Sequence, residues 1–311
     1  GAMLLAPSSA GVLPSSGGHP LDERTRLNLQ SQPVADNTTS TRRWVDLLAG
    51  HPDTAAQWVG GQVPQREERL KGGRSACSGG VAIGGEHDYE EFCEEYWRVI
   101  LSDAAASSRQ PTMYSIGLGG SYHRELFFSS PARNASVHAY DPTSELASWH
   151  RSNTPPGVEF HFAGLGKGDA SDAGSSTAGI YGSIGDGAPM VSLSQMYSQN
   201  RDPSGGPDFL TVDCEGCEWD AFEAVARDTP AAFHNVKLLT MEVHLSPTLR
   251  TPGPGQFEGL FSFLFAQGFK VWYMHENIGA RENQGVVAEL VEAGLDAHGP
   301  CCYELGFVKL S

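Results

Sequence analysis

Polar and apolar positions divide the chain into an irregular first part and a regularly alternating second part. Residues 1–40 are rich in Ser, Pro, Gly and Asn with few large apolar side chains, which predicts a flexible N-terminal tail. Residues 42–49 predict a short helix with Trp44, Leu47 and Leu48 on one side and Ser40 or Thr41 as its cap. Residues 60–85 read as loop. Residues 87–101 read as an amphipathic helix burying Tyr89, Phe92, Cys93, Tyr96, Trp97 and Ile100. From there, short β-type runs recur at 113–116, 136–140, 158–163, 209–212, 236–243, 269–274 and 302–309. Helical spacing falls between them, as at 123–128 and at 257–266, the latter ended by Gly268. After 209–212, Trp219, Phe222, Val225 and Ala226 share one helical face. Residues 167–189 are small, polar and Gly-rich, and predict a long loop. Strand alternating with helix predicts an α/β fold with a mostly parallel sheet and helices on both faces. The expected organisation is a tail over 1–40, a helical and loop extension over 41–110, and one α/β domain over 111–311.

Chemistry-bearing residues collect where the strands end, the edge at which open α/β sheets bind ligands. The first core strand runs into Gly117-Leu118-Gly119-Gly120, where glycine lets a ligand approach the backbone. Asp141 ends the next strand, at the position of an acid that holds a ribose hydroxyl pair. The dinucleotide fingerprint requires glycine at 122, and Tyr122 stands there instead. Nicotinamide and flavin are therefore disfavoured, and a nucleoside cofactor without pyrophosphate, such as S-adenosylmethionine, fits better. The plainer alternative is a tight turn followed by a solvated Asp.

The run at 209–212 stops at Asp213-Cys214-Glu215-Gly216-Cys217-Glu218. Glu242 and His244 alternate on one face of a later strand, so they point the same way. If the two strands are neighbours, Asp213 and Glu242 meet. Two carboxylates and an imidazole suit a divalent cation such as Mg²⁺ or Mn²⁺, held by Asp213, Glu242 and His244. They equally suit activation of a hydroxyl, with Asp213, Glu215 and His244 as the catalytic candidates. A buried structural Glu–His pair is the alternative. His275-Glu276-Asn277, at the same edge, is a candidate pocket lining or a plain polar loop. No nucleophile elbow, P-loop or zincin motif occurs.

Charge and cysteine content narrow the picture. The net charge of -16 disfavours nucleic acid and anionic membrane surfaces as partners, and suits a neutral or cationic substrate. No apolar run reaches transmembrane length. Gly1-Ala2-Met3 looks like a tag-cleavage scar, so the natural N-terminus is expected to differ. Six cysteines permit disulfides without requiring them. Cys77 and Cys93 both precede the core and are expected to bridge, pinning the helix at 87–101. Cys214 and Cys217 form a C-x-x-C, a dithiol oxidoreductase pattern, but acidic neighbours raise thiol pKa values. Packed thiols are expected there and at Cys301-Cys302. Two N-x-[ST] sequons, at Asn37 and Asn134, add slight weight to a secretory location.

Five blocks resemble one family, in the right order. They are Tyr114-Ser115-Ile116-Gly117 through Glu125, Val137 to Pro142, Gly164-Leu165-Gly166, Val212-Asp213-Cys214-Glu215-Gly216-Cys217-Glu218-Trp219, and Met241-Glu242-Val243-His244. The chain resembles FkbM-type and methyltransferase-like 24 type proteins over about residues 77–311, the closing Cys301 to Val308 included. The resemblance implies a class I, Rossmann-like methyltransferase fold whose last strand is antiparallel. It implies S-adenosylmethionine as cofactor, held by Gly117, Leu118, Gly119, Asp141, Pro142, Gly164 and Leu165. It further implies O-methylation of a sugar, glycan or small polyol hydroxyl, and a secretory or Golgi location, with the cytoplasm as the alternative. The rival readings are a nucleoside-binding protein without catalysis and the dithiol oxidoreductase. Residues 1–76 and 167–189 have no counterpart in the resemblance, and oligomeric state is not assigned.

Overall fold

A computed structural model describes residues 77, 80–84, 89–168, 188–200, 205–244, 254–276 and 302–309. The expected tail over 1–40, the helix at 42–49 and most of the loop at 167–189 lie outside these residues.

Strands β1 (Gly80–Gly84) and β2 (Tyr89–Cys93) pair antiparallel and lead into helix α1 (Glu94–Ala106). The expected helix over 87–101 is thus strand at Tyr89–Cys93 and helix only from Glu94. The spacing of Phe92, Cys93, Trp97 and Ile100 fits a helical face, yet the backbone of 89–93 is satisfied by β1 instead. Cys93 is extended (φ -84, ψ 103) and bonded to Cys77, as the cysteine pattern led us to expect. Part of the expected loop at 60–85 is accordingly β1, which the Gly-flanked Val81 and Ile83 did not announce.

The core follows in order: β3 (Thr112–Ile116), α2 (His123–Ser129), β4 (Ser136–Tyr140), α3 (Ser144–Asn153) and β5 (Val158–His161). Two-residue strands β6 (Gly164–Leu165) and β7 (Met190–Val191) pair with each other, and α4 (Leu193–Gln199) follows under a Ser192–Gln195 capping box. Then come β8 (Phe209–Val212), α5 (Cys217–Asp228), β9 (Leu238–His244), α6 (Pro254–Ala266), β10 (Phe269–Glu276) and β11 (Cys302–Lys309). The main sheet has the order β10-β11-β9-β8-β3-β4-β5. β11 runs antiparallel to both its neighbours, while β9, β8, β3, β4 and β5 are mutually parallel.

Side chains alternate between two apolar layers. Met113, Val137, Phe209 and Leu238 pack with Phe92, Trp97 and Ile100 of the N-terminal elements and with Phe128 of α2. Tyr114, Ile116, Leu210, Val212, Leu239 and Met241 pack with α4, α5 and α6. Helices therefore cover both faces. The fold is the class I, Rossmann-like arrangement with one antiparallel strand. At the amino edge, buried Asp208 accepts 2.5 and 2.6 Å bonds from Arg109 and a third from the amide of Thr112, locking β3 to β8. The chain runs outward from β3 to β5 and then returns to β8 on the other side. The crevice at the carboxyl ends of β3 and β8 is the topological switch point.

Candidate active site

Three strands carry one polar row across the switch point. Ser115, Thr211 and Thr240 are register partners inside otherwise apolar strands. Ser115 donates a 2.5 Å hydrogen bond to buried Glu125, and Arg124 reaches Thr211. One pleat further along stand Gly117, Asp213 and Glu242. Asp213 continues the parallel ladder, donating from its amide to Ile116 at 2.8 Å. Gly117 is required there: its φ is +83, and a Cβ would lie 1.5 Å from the Asp213 carbonyl oxygen.

The chain turns from β8 into α5 through Glu215 (φ 56) and Gly216 (φ 96). Cys214 and Cys217 are joined by a disulfide across this turn, which replaces the packed-thiol expectation. Cys302 is disulfide-bonded as well. Glu218 is fully buried in the first turn of α5. Its Oε2 accepts from the Gly216 amide at 3.0 Å, and its Oε1 from the His244 amide at 2.8 Å. Oε1 also lies 3.1 Å from His244 Nδ1, and Trp219 Nε1 donates to the His244 carbonyl at 2.9 Å. With Nδ1 so held, Nε2 faces Glu215 Oε2 at 3.4 Å, Asp213 Oδ1 at 3.6 Å and Glu242 Oε2 at 3.7 Å. All four candidate residues (Asp213, Glu215, Glu242 and His244) therefore converge.

The protonation of this cluster follows from its burial. Burial holds the Asp213 carboxyl well above its ordinary value, with the neighbouring Glu242 charge adding to the effect. The Glu215 carboxyl is pushed up to about 7 by burial, against the pull of His244 and with help from Asp213 and Glu218. For His244, burial favours the neutral ring, but Glu218, Glu242 and Asp213 outweigh it and hold the imidazole protonated well above its ordinary range. Asp213 Oδ1 and Glu215 Oε2 are buried with no hydrogen-bond partner. One ligand atom from each of Asp213, Glu215 and His244 lies within 4.8 Å of the others, a spacing that one cation would satisfy.

The residues expected to hold a cofactor gather at the ends of β3, β4 and β6. Asp141 is buried, and its carboxylate is engaged by the turn itself: Oδ2 accepts from the amides of Leu118 (3.0 Å) and Gly119 (3.2 Å), and Oδ1 from that of Thr143 (2.8 Å). His150 stands behind it, with Nδ1 3.1 Å from the Tyr122 hydroxyl and Nε2 3.8 Å from Asp141 Oδ2. Gly119 has φ +55, and a Cβ on Gly120 would meet no atom within 4 Å, so the outer side of the turn is open. That open, glycine-lined surface at the switch point fits a nucleoside group. Gly164 packs against Pro142 and Met190, where a Cβ would come within 2.6 Å of the Met190 sulfur, and Leu165 is buried in the core. His275 and Glu276 extend β10, which β11 separates from β9, and Asn277 lies outside the described residues.

Five contributing residues carry no assignment from sequence. Glu218 carried a signal, since it lies four and seven residues before Phe222 and Val225 on a buried stripe. Ser115 and Thr211 were visible as polar positions inside apolar strands, but Arg124 and Glu125 had no signal of their own.

The FkbM methyltransferase domain is matched over residues 91–271. No curated protein matches the chain. Among solved structures, a fibrillarin pre-rRNA processing protein from Methanococcus jannaschii is 12% identical, with a TM-score of 0.34, covering 73% of this chain and 81% of that one. The plantazolicin methyltransferase BpumL, solved with a triazolic desmethylPZN analog and SAH, is 11% identical with a TM-score of 0.32, covering 70% of this chain and 86% of its own. The domain match spans more than half of the chain and takes in the five parallel strands, the glycine turn and the Asp213–His244 cluster, so the chain belongs to the FkbM methyltransferase family.

Proposed function

We propose that the protein transfers a methyl group to a hydroxyl of a sugar, glycan or small polyol, with Glu215 as the proton acceptor. The observation that carries this reading is Glu215 itself. Its Oε2 is buried and makes no hydrogen bond, with His244 Nε2 3.4 Å away, and its carboxyl is pushed up to about 7, where a general base works best. S-adenosylmethionine, when bound, supplies an electrophilic methyl group. Gly117, Leu118, Gly119, Asp141, Pro142, Gly164 and Leu165 form or support its seat, Asp141 by clamping the turn. Asp213 and Glu242 share negative charge, and protonated His244 balances it. The acidic chain suits an uncharged acceptor, and O-methylation is the activity that the family resemblance implies.

A second version of the same chemistry rests on the buried oxygens of Asp213 and Glu215 that make no hydrogen bond and face His244 Nε2. Held by these and His244, with Glu242 alongside, a divalent cation such as Mg²⁺ or Mn²⁺ would supply Lewis acidity to the acceptor hydroxyl. Binding it requires His244 to lose a proton, so cation affinity would rise with pH. Labelled-methyl transfer to a panel of sugars and polyols tests both versions. O-methyl product formed at full rate in excess chelator supports the base alone, and activity abolished by chelator and restored by Mg²⁺ or Mn²⁺ supports the cation. Methylation of nitrogen or carbon acceptors in place of hydroxyls would contradict both.

We further infer an oxidising compartment, such as the secretory or Golgi lumen. The supporting observation is that the described residues contain no free cysteine. Mass spectrometry of the unreduced protein should show no alkylatable thiol, whereas free Cys77 and Cys93 would return the chain to the cytoplasm. No helix among the described residues is long and apolar enough to cross a membrane.

A further inference from the structure

We propose that His138, Glu159 and His161 form a zinc-binding site on the face of the sheet between its last two strands, apart from the catalytic cluster. His138 sits in the middle of β4, opposite Glu159 of β5, and His161 is two residues further along β5, opposite Tyr140. All three therefore project from one face of two adjacent strands. His138 Nδ1 and His161 Nε2 face each other at 3.2 Å. Two nitrogens bound to one tetrahedral zinc are about 3.3 Å apart, given Zn–N bonds of about 2.0–2.1 Å. The carboxylate completes the set: Glu159 Oε2 is 3.5 Å from His138 Nδ1, and Oε1 is 3.9 Å from His161 Nε2. Two imidazoles and one carboxylate are a zinc ligand set, and borderline nitrogen donors select against Mg²⁺ and Ca²⁺.

The rings are held from below. His161 stacks on Tyr140 at 4.5 Å and His138 tilts over Tyr114 at 5.1 Å. Asn200 Nδ2 holds both phenols, at 2.5 Å from Tyr140 and 2.9 Å from Tyr114. These ring contacts restrict how the two imidazoles can turn. Glu159 is 66% exposed, so an ion can enter from solvent and the fourth position is left to water. The site would tie edge strand β5 to β4. Because the His161 carbonyl accepts from the Asp141 amide at 3.3 Å, it would also steady the residue that clamps the cofactor turn.

The test is titration of the chelator-treated full chain with Zn²⁺, and with Co²⁺ as a visible reporter of tetrahedral ligation. One Zn²⁺ is expected at this site, read as the ion retained in Asp213→Asn, with tetrahedral Co²⁺ bands. Affinity should fall at least about tenfold in His161→Gln and in Glu159→Gln, and stay unchanged in Asp213→Asn. Glu159→Gln changes only an exposed side chain, so it decides the matter if His161→Gln fails to fold. The proposal is overturned if the wild-type chain binds no Zn²⁺, which would leave the 3.2 Å contact as a plain imidazole hydrogen bond. It is equally overturned if Glu159→Gln binds like wild type, or if the ion is lost in Asp213→Asn.

Discussion

Glu218 grips His244 twice, accepting from its backbone amide at 2.8 Å and lying 3.1 Å from its Nδ1, while its other oxygen caps the turn at Gly216. One carboxylate thus joins the start of α5 to the end of β9 and aims Nε2 at the remaining acids. Removing one partner of a buried ion pair strands the other, at a cost of about 3–5 kcal/mol. Glu218→Ala should lose stability on that scale in urea unfolding, with an unchanged denaturant slope. Glu218→Gln keeps an acceptor and should lose less. A loss below about 1 kcal/mol in the alanine variant would mean that the pair is not formed.

Asp141 is predicted to act on the cofactor through the turn that it clamps. Each charge-assisted hydrogen bond is worth about 1.5–3 kcal/mol. Asp141→Ala should therefore weaken S-adenosylhomocysteine binding by about tenfold or more in calorimetry, and Asp141→Asn by less. NAD should not bind to the wild-type chain. Equal affinity of Asp141→Ala and wild type would take Asp141 out of the site.

Much of this geometry could be read from the chain. The strands at 136–140, 209–212 and 302–309 match the structure to the residue, the first two as short β-type runs stopped by Asp141 and Asp213. The alternation of Glu242 with His244, and the placing of Asp213 at a strand end, sufficed to bring the three together once β8 and β9 proved adjacent. The segment at 89–93 misled because Phe92 and Cys93 satisfy a helical stripe and a strand equally, and only pairing with β1 and the bridge to Cys77 decides between them. Asp141 was legible as an acid at a strand end, but its engagement by Leu118 and Gly119 depends on how the turn folds back, which no spacing encodes. Arg124 is the extreme case: its place beside Thr211 comes from docking of α2 across the sheet.

Two groups should shape the pH dependence of stability in opposite senses. In the metal-free protein, Glu215 titrates at about 7 in place of its ordinary 4.5. Its folded-state value is raised, so its contribution is present below 4.5 and is lost as pH rises through about 7. His150 is held below its ordinary 6.5 by burial, which the Asp141 charge only partly offsets. Its contribution is present above 6.5 and is lost as pH falls. Urea unfolding should show Glu215→Gln gaining about 1–3 kcal/mol over wild type at about pH 8 and little at about pH 4, since a pKa that differs by one between folded and unfolded chain is worth about 1.4 kcal/mol. His150→Gln should flatten the acid limb only. A Glu215→Gln curve parallel to wild type would show that Glu215 is not buried as described.

The most direct measurement is turnover of Glu215→Gln on any hydroxyl acceptor that the wild-type chain methylates, in parallel with its affinity for S-adenosylhomocysteine. Loss of a general base costs about 10²–10⁴-fold in rate. A fall of that size is expected with cofactor affinity unchanged, together with loss of the rise in wild-type rate through about pH 7. Wild-type turnover by Glu215→Gln, with the same pH profile, would contradict Glu215 as the proton acceptor.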